Sequence, residues 1–124
     1  MRVFQNRPFQ RFARKERIDV ASLCDAVERA EAGQLDADLG GGVIKQRIPR
    51  PNEGKSGGFR SIILYRTNAL AFFVYGFPKS ERGNITEVEL NGFKLLAKVM
   101  LSYNEKELES AMEAGALMEL ICNE

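Results

Sequence analysis

The chain reads as an α+β domain in the order β-α-α-β-β-β-α-α, a small antiparallel sheet with helices packed on one face. Three observations predict it. A helical apolar stripe spans residues 20–27, and β-branched or aromatic runs follow one another between residues 43 and 77. Two capping signatures then open helices at Thr86 and Asn104. With 124 residues and no internal repeat, the chain has the length of one domain with a single core, expected to span 1–124.

Each element has a local cause. Arg2–Gln5 is a short candidate strand. Pro8 suits the first turn of a helix, whose small apolar face is Phe9, Phe12 and Ala13. Asp19 is the candidate N-cap of a second helix, and Val20, Leu23, Cys24 and Val27 recur at i, i+3, i+4 and i+7. Gly33 stands where a C-terminal glycine ends that helix, so residues 7–32 form a helical hairpin. After Gly40-Gly41-Gly42, the run 43–49 alternates, with Lys45 and Arg47 on one strand face and Ile44 and Ile48 on the other. Residues 49–58 are a loop by composition. The runs 59–66 and 70–77 form a hairpin about Thr67-Asn68-Ala69. Thr86 with Glu89, and Asn104 with Glu107, start helices near 86–101 and 104–115. Phe93, Leu96, Ala97 and Met100 form the core stripe of the first of these. Leu117, Met118, Leu120 and Ile121 are an apolar tail expected to pack on the chain's own core, or to dock a partner if exposed.

Charge is distributed unevenly. Residues 44–82 carry Lys45, Arg47, Arg50, Lys55, Arg60, Arg66, Lys79 and Arg82 against Glu53 and Glu81, a net +6. Residues 83–124 hold three lysines against eight glutamates, a net −5, and the first 43 residues balance. A basic middle within a chain of formal charge +1 is the footprint of an anion or nucleic-acid site. There is no histidine, so acid–base chemistry there falls to Lys, Arg, Tyr or a carboxylate. Arg11, Arg14, Lys15 and Arg17 make a second basic cluster, read as a solvated or backbone-contacting helix face.

Other classes are disfavoured. A composition of 44% hydrophobic and 28% charged residues is that of an ordinary soluble globule. Cys24 and Cys122, isolated and without histidine, give neither a zinc pattern nor a disulfide framework, and no motif calls for a cofactor. No leading apolar segment resembles a signal peptide, and no run approaches the ~18 residues of a membrane span. The expectation is a cytoplasmic protein with no membrane partner. Gly54-Lys55-Ser56 ends like a phosphate-binding P-loop, but the glycine required five residues earlier is Pro49, and a strand follows instead of a helix. The loop instead suits a hairpin connection, or a segment that brings Lys55 to a phosphate backbone.

The strand cations carry the sharper reading. Lys45 and Arg47 share a face, Arg60 starts the next strand across the loop, and Lys79 ends the one after. If the strands pair, the four converge on one patch. Arg50 and Arg66 are weaker candidates, since each also suits a solvated strand end. Tyr75 and Phe77 share a face with Lys79 in a regular strand, where one of them can stack on a base.

Three segments together resemble the RelE/HigB superfamily of type II toxins, and within it the HigB-like branch. They are Lys45-Gln46-Arg47-Ile48-Pro49-Arg50, then Gly54 through Ile63, then Phe72 through Ile85. The resemblance is strong over about half of the chain and extends to the rest through element order. It implies a RelE-like fold and a toxin that cleaves messenger RNA, usually on the ribosome, restrained by a cognate antitoxin. It places the catalytic phosphate-binding cations at Lys45, Arg47, Arg60 and Lys79; the remaining cations of the basic middle, Arg50, Lys55, Arg66 and Arg82, are the candidate RNA-binding positions. The family commonly adds a Tyr or His beyond the last strands, and the corresponding position here, around Ile85, is apolar.

The chemistry is coherent without histidine. In RNA the 2′-hydroxyl attacks its own phosphate, so the protein need not supply the nucleophile. Fixed cations stabilise the charge gathering on the phosphoryl oxygens. Arg47 and Arg60 are the candidates for holding two oxygens at once, Lys45 is the candidate base and Lys79 the candidate proton donor. Two rival classes remain at this level: a ParE-like toxin that poisons DNA gyrase without nuclease chemistry, and a non-catalytic RNA-binding domain. Expected partners are an antitoxin, mRNA and the ribosome, with a homo-oligomer also open.

Overall fold

A computed structural model describes residues 1–50 and 57–122. In chain order its elements are β1 (Arg2–Asn6), α1 (Arg7–Lys15), α2 (Val20–Glu31), β2 (Ala37–Gly40), β3 (Val43–Ile48), β4 (Phe59–Arg66), β5 (Leu70–Pro78), α3 (Glu87–Met100), α4 (Glu105–Glu113) and β6 (Leu117–Leu120). The α+β class and the helix order follow the sequence reading. The short strands β2 and β6 were not expected, and β6 is the apolar tail, with Leu117 and Leu120 buried and Met118 and Ile121 exposed.

One sheet runs β2-β3-β4-β5-β1-β6. The expectation of antiparallel pairing holds for four neighbouring pairs and needs correcting at one, because β1 lies parallel to β5. Strand β1 inserts between β5 and β6, so its partners come from the second half of the chain. A turn motif announces a hairpin, whereas nothing local announces such a pairing.

The helix ends form for the reasons their sequences suggest. Asn6 and Asp19 accept from the backbone N–H of Phe9 and Ser22, capping α1 and α2. Thr86 and Asn104 complete reciprocal capping boxes with Glu89 and Glu107. Gly40, Gly41 and Gly42 all take positive φ in the β2–β3 turn, and a Cβ on Gly42 would meet Leu101 at 2.7 Å. The positive φ values and the closeness of α3 together favour glycine throughout that turn.

Alternate strand residues feed opposite faces. Val3, Ile44, Ile63 and Phe73 join Phe9, Ala13, Leu23 and Val27 in a core under α1 and α2. Phe4, Val43, Leu64 and Phe72 join Ala97, Met100 and Leu108 in a second core under α3 and α4. The sequence places helices on one face; α1 and α2 take that face, and α3 with α4 form a further layer on the other. In the α3 stripe Ala97 and Met100 are buried, while Leu96 is exposed.

The cysteine reading is also corrected. Cys24 of α2 is disulfide-bonded to Cys122, just beyond β6, with 5.4 Å between their Cα atoms. The partners are 98 residues apart in sequence, and spacing alone cannot pair them.

Candidate functional site

The site begins with the register of β3, β4 and β5. Arg47 stands directly opposite Arg60, and Arg60 opposite Phe77. The next row along the strands is Lys45, Ile62 and Tyr75. All six side chains belong to the face that α3 and α4 cover in part, because they alternate with residues buried under α1 and α2. Neighbours in a row are about 5 Å apart at their Cα atoms, so Lys45, Arg47 and Arg60 share one small area.

A β-bulge brings the aromatic residues into it. The β4–β5 register shifts between Ile62 and Ile63, which pair with Tyr75 and Phe73 and leave Val74 as the extra residue. Without that insertion Tyr75 and Phe77 would share a face with Phe73, which packs under α1. The Asn6 side chain donates to the Val74 carbonyl at 3.2 Å and so satisfies the bulge. On the reverse side Gly76 leaves room for the Phe12 ring, which a Cβ there would strike.

Arg60 is the most constrained cation. Its side chain is 11% exposed, its Nε lies 3.5 Å from Asp36 Oδ2, and its Nη1 is buried without a hydrogen-bond partner. An unpaired buried N–H of a charged group costs about 1–3 kcal/mol or more, so this guanidinium is short of one acceptor. Asp36 is held in place by Gln46, whose side-chain oxygen accepts from the Asp36 backbone N–H at 2.7 Å and whose amide donates to Ala26 O at 2.8 Å. From α2, Arg29 donates to the Arg47 carbonyl at 2.6 Å. The strand cations are thus braced from behind by α2.

Arg82 closes the other side. Its guanidinium carbon lies 5.9 Å from the Tyr75 ring centroid and 5.5 Å from that of Phe77. Nη1 donates to the Tyr75 hydroxyl at 3.0 Å, both terminal nitrogens grip Glu89, and Nε donates to Asn84 O. The Arg82 bond, with the Thr86 backbone N–H second, pulls the Glu89 carboxyl down to about 2. In turn, Glu89 raises Arg82 above the ordinary arginine value. Glu89 also caps α3, so this network ties the loop after β5 to the start of that helix.

The remaining candidates are dispersed. Lys79 stands in the exposed turn after Pro78, its backbone N–H bonded to Gly58 O. Arg50 stacks 4.5 Å over Phe59 and pairs with Glu16 on the α1 side of the sheet. Arg66 is at the far end of β4, about 20 Å along the strand from Arg60. Lys55 lies outside the described residues. Sequence reading missed Asp36 and the proton-carrying role open to Tyr75. Asp36 has no signal of its own, and the bulge that aims Tyr75 is not encoded by alternation.

The arrangement suits a phosphodiester: clustered strand cations, one with an unsatisfied buried donor, beside aromatic rings and a hydroxyl. Among the described residues no helix is long and apolar enough to cross a membrane. A family model described as the RelE toxin of the RelE/RelB toxin–antitoxin system matches residues 1–120. No curated protein matches the chain.

Proposed function

This chain belongs to the RelE toxin family, the toxin half of a toxin–antitoxin pair, and we propose that it is an endoribonuclease that cleaves messenger RNA on the ribosome. The observation that carries the reading is Arg60, set opposite Arg47 with a buried Nη1 that lacks an acceptor. Once the guanidinium turns toward the open face of the sheet, a phosphate oxygen supplies that acceptor.

In this reading Arg60 and Arg47 hold the non-bridging oxygens of the scissile phosphate and stabilise the charge that develops on them. The 2′-oxygen bonds to phosphorus as the bond to the 5′-oxygen breaks. The 2′ proton passes to the neutral amine form of Lys45, which becomes an ammonium, and the departing 5′-oxygen takes a proton from Tyr75. Products are a 2′,3′-cyclic phosphate and a 5′-hydroxyl. Because the Tyr75 oxygen accepts from Arg82, its own proton is left for donation, and the cation stabilises the phenolate that remains.

Tyr75 thereby takes the donor role first expected of Lys79, which at the exposed rim suits a contact to the RNA backbone. Arg82, with each guanidinium nitrogen engaged, positions Tyr75 rather than gripping RNA. Ile85, at the position where the family commonly has a polar group, packs against the α3–α4 core. The antitoxin is expected to restrain the toxin, with acidic side chains over the basic row.

Inducing the chain in a bacterium and mapping mRNA 5′ ends tests the reading. New ends carrying a 5′-hydroxyl, absent with Arg60→Ala, support it. Growth arrest with intact mRNA and damaged DNA would instead mark a gyrase poison, and RNA binding without cleavage a passive RNA-binding domain.

A further inference from the structure

We propose that the outer face of α3 is a self-association surface on which a second copy of this chain packs antiparallel, α3 against α3. The proposal stands apart from the nuclease reading, since none of its residues belongs to the basic row. Val88, Gly92, Leu95 and Val99 recur at i, i+4, i+7 and i+11, the four-three-four spacing of a helix–helix seam. They point away from Ala97 and Met100, which face the sheet. Val88 is 81% exposed, Leu95 69% and Val99 57%, and a Cβ on Gly92 would find nothing within 4 Å. This is a continuous apolar stripe about 16 Å long on an otherwise satisfied helix.

Two features select a second copy as the occupant. The stripe is its own complement under a two-fold axis. Reversing one helix sets Val88 against Val99 of the copy and Leu95 against Gly92, whose missing side chain leaves a notch for the leucine. Charge follows the same symmetry. Glu87 and Lys98 are both exposed, on the same flank of the stripe and at opposite ends. Antiparallel packing brings each Glu87 to the other copy's Lys98, whereas parallel packing sets this flank against the opposite flank of the copy and forms no such pair. Exposed pairs add little energy, but they choose the orientation. An unrelated amphipathic helix would require neither the palindromic order nor the charge reversal. A single helix face buries less than the roughly 800 Å² per partner of a standard interface, so the dimer is weak and concentration-dependent.

Sedimentation equilibrium of the purified full chain, from micromolar to millimolar concentration, tests this. The wild type is expected to dimerise as concentration rises, and Leu95→Glu to stay monomeric with an unchanged circular dichroism spectrum. Glu87→Lys and Lys98→Glu each weaken the dimer roughly fivefold or more, and the double swap restores it. Leu95→Ser is the milder check should the glutamate disturb folding. A wild-type chain monomeric up to about 1 mM, a dimer indifferent to both Leu95 variants, or a double swap without restoration would overturn the proposal. Protection of α3 from hydrogen exchange by the antitoxin, with the chain alone monomeric, would assign the stripe to that partner and overturn it equally.

Discussion

Arg47 and Arg60 face each other across β3 and β4 at one register position, two guanidinium groups on the same side of the sheet. Like charges directly opposite destabilise a sheet by about 0.2–1 kcal/mol, and Arg60 adds a buried N–H without an acceptor. The pair is a cost to the fold that a bound phosphate would offset. Arg60→Met is therefore expected to stabilise the protein by about 1 kcal/mol, a rise of a few degrees in Tm, while abolishing RNA cleavage. Thermal denaturation beside a cleavage assay checks it. A destabilised variant would mean that the Asp36 contact outweighs the repulsion.

Tyr75→Phe retains the ring that packs on Phe77 and Phe93 and removes only the hydroxyl. Cleavage is expected to fall by about a hundredfold, the scale of general acid catalysis, with RNA binding unchanged. An RNA with a bridging 5′-sulfur, whose leaving group needs no proton, should be cut at a similar rate by variant and wild type. A variant equally impaired on both substrates would place Tyr75 outside proton transfer.

Glu89 sets an acid limit on the loop that Arg82 anchors. Its carboxyl titrates at about 2 in the fold, against 4.5 ordinarily, so the charged form is the one the fold favours. That stabilisation is complete above the unfolded value and is lost as pH falls through the folded one. Wild type should be more stable than Glu89→Gln at pH 6, with the gap narrowing below about 4.5 and closing near 2. Melting curves of both proteins across that range test it, and a constant gap would contradict the assignment.

The Cys24–Cys122 bridge closes a loop over 98 residues of separation. In the chain-entropy description a loop of that size stabilises by about 4–5 kcal/mol, within an observed range of about 0–5. Reduction should lower Tm and make the tail beyond β6 more accessible to protease. Mass spectrometry with and without reductant establishes the bridge, and a Tm indifferent to reduction would show that it contributes little.

Much of the fold was legible because its causes are local. Asp19, Thr86 and Asn104 announce their helices through side-chain oxygens that reach N–H groups three residues on. Asn68 takes the positive φ (60°) that the β4–β5 turn requires. Alternation put Lys45 and Arg47 on one face and Ile44 and Ile48 on the other, as they stand. What escaped was non-local. Strand β1 finds β5 across the whole first half of the chain, and Cys24 finds Cys122 only once β6 is laid beside β1. The bulge at Val74 reverses the facing of Tyr75, and no residue type there signals it. For the site, alternation and strand position picked out Lys45, Arg47 and Arg60 and set Arg66 aside, but the Asp36 contact and the buried Nη1 of Arg60 depend on packing that no local signal encodes.

The most direct measurement is the mapping of mRNA 5′ ends in bacteria expressing the wild-type chain or Arg60→Ala at equal levels. Wild type should generate discrete new ends carrying 5′-hydroxyls as growth stops, and Arg60→Ala should lose about two to three orders of magnitude in cleavage, the scale of removing one group that holds transition-state charge. Identical end profiles from the two proteins, or growth arrest by wild type with mRNA intact, would contradict the account.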